Sequence, residues 1–150
     1  MFQILSFPLG EGEPTFMTNP GTMIEKYSSI EKGDPCNQYI IRLFNHTGTH
    51  LDMPNHFTDN GPGICDLPLE TFFFEAPRLV DIPKNDGELI RAEDLRPFLR
   101  ELREADLLLV RTGFGRYRHR EPRRYGNSNP GFAESSAYHL METCPHLKAI

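Results

Sequence analysis

Eleven consecutive positions, His46-Thr47-Gly48-Thr49-His50-Leu51-Asp52-Met53-Pro54-Asn55-His56, hold three imidazoles and a carboxylate, all of them metal-ligand side chains. His46, Gly48, His50, Asp52 and His56 share one parity, so an extended chain would place them on one face. A helix would not, because Asp52 would lie about 240° round from His46. A straight strand also falls short. Four residues span roughly 13 Å, more than two imidazoles bridge to one ion through bonds of about 2.1 Å. The pattern therefore predicts a strand that ends in a bend at Gly48, where the missing side chain permits unusual dihedrals and leaves room for an ion. Pro54 should stop any ladder before His56, and Thr47 and Thr49 are expected to bond locally and hold the turn.

Two neutral imidazoles and one carboxylate suit Zn²⁺, Mn²⁺ or Fe²⁺ and leave positions open for water and substrate. An open position implies chemistry rather than a purely structural ion. The bland alternative is a loop of satisfied histidines, which explains one His more easily than this cluster. His56 has two readings. It completes the coordination shell, or it stands just outside as a proton shuttle that titrates near working pH.

The pattern His-x-Gly-Thr-His-x-Asp-x-Pro-x-His resembles the signature of the metal-dependent cyclase-like hydrolases, the family of bacterial kynurenine formamidase and isatin hydrolase. Weaker similarity runs from Ile4-Leu5-Ser6 through Leu109-Val110-Arg111-Thr112-Gly113 to Asn129-Pro130-Gly131-Phe132. The resemblance implies that His46, His50 and Asp52 bind a divalent metal, zinc or manganese first, and that His56 acts as acid and base. It also implies an α/β fold, a swivelling β/β/α domain assembled into dimers or higher oligomers. Family members continue past a segment like Pro145-His146-Leu147-Lys148-Ala149-Ile150 into Gly-x-Asp-x-x-Ser, then a His and a later Glu that complete the site. On that comparison residues 1–150 are expected to be a single domain incomplete at its C-terminus. His139, Glu142 and His146 do not stand in the matching context.

Composition sets the remaining bounds. The chain is one domain's worth of residues with ordinary globular composition, and its 12 Gly and 13 Pro predict many turns. A formal charge of −5 gives no broad attraction to nucleic acid or anionic membrane, so a small-molecule partner is expected. Cys36, Cys65 and Cys144 are odd in number and lack a Cys-x-x-Cys pair, which fits a reducing compartment, and a cytoplasmic location is expected. No Lys or Arg precedes Lys26, so a secretory leader is not expected, and no apolar run is long enough to span a bilayer.

Along the chain, Met1 to Leu9 reads as a first strand, followed by a loop to about Gly21, a polar stretch, and a strand over Gln38 to Phe44 that delivers the metal motif. Leu67 to Phe74 presents an apolar surface ending in three phenylalanines, either a buried strand or loop anchor, or else a subunit contact or substrate wall. Arg78 to Ile82 reads as a strand. Leu95, Phe98, Leu99 and Leu102 mark an amphipathic helix near 92–105, with Pro97 tolerable only near its first turn or at a break, and Leu107 to Val110 reads as a buried strand completing β-α-β. Gly113-x-Gly115 lacks the third glycine of a dinucleotide loop. The arginines from Arg116 to Arg124 read as a solvated basic loop, with an acidic substrate, nucleic acid or a second subunit as alternatives. Ala137, Leu140, Met141 and Cys144 give a last helical stripe, and Leu147 to Ile150 resembles the opening of a strand.

The chain therefore reads as a metal-dependent hydrolase of a small amide or lactam, with an aryl formamide as the substrate the resemblance suggests. Two rivals stand beside it. A non-haem iron oxygenase also uses two His and one carboxylate, and a non-catalytic metal-binding protein would need no more than the ion.

Overall fold

The computed structural model describes residue 4 and residues 6–150. The chain divides into two compact units, Met1–Gly63 and Ile64–Ile150.

In the first unit an irregular loop over residues 6–22 leads into β1 (Met23–Ser28), which pairs antiparallel with β2 (Gln38–Arg42). Ile24 faces Ile41 and Lys26 faces Tyr39, with an irregularity between Lys26 and Ser28. β1 lies in what reads from sequence as a merely polar stretch. Its Met23, Ile24 and Tyr27 nonetheless suit a pleated surface, and the β-rich β2 supplies the ladder that fixes it. The connection is pinned by side chains. Asp34 Oδ2 accepts the Ser29 N–H at 2.7 Å and Asn37 Oδ1 accepts the Ile30 N–H at 3.0 Å. The N-terminal loop is tied down where Glu11 Oε1 accepts the Ile24 N–H at 2.9 Å. Of the strand expected over Met1 to Leu9, residues 1–3 and 5 lie outside the described residues, and residues 6–9 form no strand. β2 stops at Arg42 rather than Phe44, so the His-rich segment lies beyond the ladder in bends and a 3₁₀ turn, Pro54–His56.

The second unit is built on two parallel pairs. β3 (Pro77–Asp81) is followed by β4 (Leu89–Ile90), the short helices α1 (Ala92–Leu95) and α2 (Leu99–Leu102), and β5 (Leu107–Arg111). β3 and β5 run parallel with Leu79 beside Leu109, so the predicted β-α-β arrangement is present. The single helix expected near 92–105 is instead two α turns joined by a 3₁₀ turn, Arg96–Phe98. Pro97, which has no N–H to give, stands in that junction. The apolar stripe survives the break. Leu95 and Leu102 are fully buried, Phe98 and Leu99 pack against them, and Val80, Ile82, Ile90, Ala105, Leu108, Leu140 and Cys144 complete the core.

α3 (Pro122–Asn127) and β6 (Gly131–Phe132) come next, β6 running parallel to β4, and α4 (Glu134–Thr143) closes the unit. Ser136 is wholly buried on α4 because its hydroxyl donates to Ile90 O at 3.0 Å. Only half of the predicted α4 stripe is core. Leu140 and Cys144 are buried, whereas Ala137 and Met141 face outward. The expected strand at Leu147 to Ile150 amounts to one parallel bridge, Ala149 beside Leu107. Asp106 organises this corner. Its buried carboxylate accepts the N–H groups of Glu75 and Ala76 at 2.7 and 2.9 Å, and its carbonyl accepts that of Lys148 at 2.9 Å. Burial alone would raise its pKa, but the two N–H donors and the nearby Lys148 charge hold it below the ordinary carboxylate value. The Phe72-Phe73-Phe74 run is not a strand. It ends a 3₁₀ turn, Leu69–Phe72, with Phe73 exposed and its neighbours half-buried.

Mixed helices and small sheets make the chain an α/β protein. Among the described residues no helix is long and apolar enough to cross a membrane.

Candidate metal centre

Three of the four side chains singled out by the motif meet at one point. His46 Nδ1 lies 3.2 Å from His50 Nε2 and 2.7 Å from Asp52 Oδ1, and His50 Nε2 lies 3.3 Å from the same Asp52 oxygen. The chain brings them together by reversing at Gly48, whose φ is +68°, a region that costs an L side chain about 1–2 kcal/mol. A second constraint acts at the same residue. A Cβ there would come within 2.3 Å of Leu9 Cδ2, so the N-terminal loop packs directly onto the bare backbone. The threonines do not hold the turn as expected. Thr47 is buried and its hydroxyl oxygen has no hydrogen-bond partner among the described residues.

His56 is placed by a different device. Pro54 opens a 3₁₀ turn in which the His56 N–H donates to Met53 O at 2.8 Å. The segment after it folds back, with the Asn55 N–H donating to Pro62 O and Thr58 Oγ1 donating to Pro54 O at 2.9 Å. Gly61 is needed for that fold, since a Cβ on it would fall 2.6 Å from the Pro54 carbonyl carbon. The His56 ring then lies against His46, with centroids 4.0 Å apart, and against Phe57 at 4.3 Å. It is adjacent to the three converging atoms without being one of them.

The donor set fits a divalent ion. Bonds of about 2.1 Å in tetrahedral array put neighbouring ligand atoms roughly 3.4 Å apart, and two of the three separations fall within a few tenths of an ångström of that. The third, His46 Nδ1 to Asp52 Oδ1 at 2.7 Å, is shorter and of hydrogen-bond length. Exposure is partial, with Asp52 the most open of the three side chains at 41%, so the site can admit water and a small molecule.

Two neighbours of the cluster are not obvious from the motif. Asn45 Nδ2 lies 3.0 Å from His46 Nε2, and Phe44 meets the His46 ring edge-on at 5.7 Å. Adjacency in sequence is the signal that could have found them, since both immediately precede the first histidine.

The basic segment is largely committed within its own unit. Arg124 is held by Asp86 at 2.9 Å and Glu121 at 3.1 Å and stacks 3.7 Å over Tyr117, and Asp86 raises its pKa. Arg116 donates to Gly113 O at 3.0 Å.

Residues 4–150 match the family described as "Putative cyclase". The chain belongs to that family. Among similar proteins, an uncharacterized protein of Haemophilus influenzae is 33% identical over 123 residues, 82% of this chain and 87% of its own length. A kynurenine formamidase of Bacillus cereus is 28% identical over 145 residues, 97% of this chain and 58% of its own, and one of Bacillus thuringiensis subsp. konkukian is 30% identical over 108 residues, 72% and 49% respectively. The chain thus spans about half the length of these two formamidases and most of the length of the Haemophilus protein.

Proposed function

We propose that the chain acts as a metal-dependent hydrolase of a small amide or lactam, an aryl formamide first, with water as the nucleophile. The observation that carries this reading is the convergence of His46 Nδ1, His50 Nε2 and Asp52 Oδ1 at one partly open point in a cyclase-family chain. The kynurenine formamidase relatives support the substrate class. These three residues would hold the ion, zinc or manganese, which when bound lowers the pKa of water from about 15.7 to around 7 and polarises a carbonyl. His56, against His46 but outside the three converging atoms, is the group we assign to proton handling. It takes a proton from the attacking water and returns one to the leaving nitrogen, a role worth typically ~10²–10⁴ in rate. The proposed fold is the swivelling β/β/α domain of the family.

We also propose self-association through the β1–β2 hairpin. Tyr39 and Ile41 on one face and Met23 on the other, together with Tyr27, are 55–71% exposed, and Ile24, Ile40 and Leu43 add to the patch. A lone two-stranded hairpin is at best marginally stable. Ile24, Tyr39 and Ile41 lie on one face of the pair and leave open apolar side chains that the same face of another chain would cover, so a second copy is the occupant we assign.

The test is turnover by zinc- or manganese-loaded protein on a panel of formamides, lactams and lactones, with oxygen uptake followed in parallel. Hydrolysis without oxygen consumption is expected, and His56→Asn should keep its metal while losing most of the rate. Turnover that requires Fe²⁺ and consumes oxygen would establish the oxygenase reading instead. Metal binding with no turnover on any member of the panel would favour the non-catalytic one.

A further inference from the structure

The hydrogen bonds around the cluster assign its protons. His50 Nδ1 lies 2.9 Å from the Gly48 carbonyl, which only accepts, so the His50 proton is on Nδ1 and Nε2 carries a lone pair. Asp52 Oδ1, 2.7 Å from His46 Nδ1, also only accepts, so the proton between them is on His46 Nδ1. His46 Nε2 is then an acceptor, and Asn45 meets it with its donating end, Nδ2, at 3.0 Å. With that assignment one contact is left without a proton, His50 Nε2 against Asp52 Oδ1 at 3.3 Å, two acceptors that a cation between them would satisfy.

An ion at that point needs the lone pair of His46 Nδ1. The imidazole must then move its proton to Nε2, where it faces Asn45. An NH₂ group there would put two donors against each other, whereas the amide oxygen, nearly identical in shape, would accept.

We propose that Asn45 is a positioning residue for His46, its amide turning from donor to acceptor when the metal binds and so holding the imidazole in the tautomer that offers Nδ1. This rests on the metal reading above. No atom is gained or lost in the step: the His46 proton leaves Nδ1 and returns at Nε2 by exchange with water. Histidine ligands are commonly oriented by an acceptor on their other nitrogen, and losing that acceptor typically weakens metal binding 10–100-fold.

The experiment measures zinc affinity by chelator competition for the wild type, Asn45→Leu and Asn45→Asp, with thermal melts of the metal-free proteins and ¹⁵N NMR of the His46 ring with and without zinc. Asn45→Leu should bind zinc 10–100-fold more weakly with an unchanged metal-free melt. Asn45→Asp, an acceptor only, should bind at least as tightly as the wild type. The His46 proton should move from Nδ1 to Nε2 on zinc addition. Asn45→Leu binding within twofold of the wild type, or a zinc-loaded His46 that keeps its Nδ1 proton, overturns the inference and leaves the metal site standing. If Asn45→Leu is misfolded, Asn45→Asp decides, and zinc binding weaker than the wild type in that variant overturns the inference. A wild-type chain with no zinc affinity overturns the metal reading itself, and this inference with it.

Discussion

Gly48→Ala tests whether the turn, rather than the ligand set alone, makes the site. Gly48 sits at φ +68°, and placing a methyl group there costs about 1–2 kcal/mol in backbone energy. The new Cβ would also lie 2.3 Å from Leu9 Cδ2. Leu9 is half-exposed and its δ-carbon sits at the end of a flexible side chain, so it can rotate away for roughly 0.5–1.5 kcal/mol. The total, about 2–3 kcal/mol, falls on the segment that brings His46 within 3.2 Å of His50. If relaxation of that segment pulls the two rings apart, zinc affinity drops by a comparable free energy, on the order of 30- to 100-fold. Chelator competition on the purified variant measures this, with far-UV circular dichroism as the check that the rest of the chain is folded. The double variant Leu9→Ala/Gly48→Ala removes the clash and keeps the dihedral cost, so it should recover only a few-fold. Affinity within twofold of the wild type in Gly48→Ala would refute the reasoning. Full recovery in the double variant would show that the close approach of Leu9, and not the left-handed turn, is what requires glycine.

His50→Ala and Asp52→Ala should each strip the metal measured by elemental analysis, and undiminished content in both would remove them as ligands. Ile41→Lys combined with Tyr39→Lys puts two charges on one face of the hairpin and should shift the chain to a monomer in sedimentation, without loss of metal; an unchanged mass would place the interface elsewhere. Leu102→Ala should cost about 2–5 kcal/mol, because the side chain is fully buried in the core and little can collapse around it; urea titration measures this. Asp94 is held below the ordinary carboxylate value, first by the Arg91 N–H and then by Lys84, so its contribution is present above the unfolded pKa and lost as pH falls through the lower folded value. Thermal melts between about pH 6 and about pH 2 should therefore show a shallower acid loss for Asp94→Ala than for the wild type, and parallel curves would show that the pair contributes nothing.

Where burial and periodicity agree, the second unit was readable. The spaced leucines of α1 and α2 predict a core-facing helical segment, and Leu95 and Leu102 are buried; the apolar run of β5 predicts a buried strand, but only Leu108 is buried and Leu109 is 45% exposed. Pro97 is tolerable only near a helix's first turn or at a break, and the chain breaks there. The failures have two causes. β1 and the short pair β4–β6 are strands by virtue of a partner elsewhere in the chain, and no pattern within the segment itself reports that partner. The α4 stripe misled because a spacing of three and four residues marks a face without saying how wide it is, and only Leu140 and Cys144 have core against them.

For the site, side-chain chemistry and spacing nominate His46, His50, Asp52 and His56 as candidates, and the distance between two imidazoles on a straight strand predicts a bend at the one glycine between them. The protein makes that bend at Gly48. The devices that hold it were not legible. Leu9 against the Gly48 backbone depends on a loop contact across nearly forty residues, and the fold that fixes His56 depends on Gly61 lying beside Pro54. Asn45 is the instructive case. It stands next to His46 in the sequence, yet its relevance appears only once the proton on each ring nitrogen is assigned from its neighbours. Residue identity can nominate atoms that could hold an ion. Whether a given imidazole offers the required lone pair depends on what faces its other nitrogen, and at His46 that is the side-chain amide of Asn45.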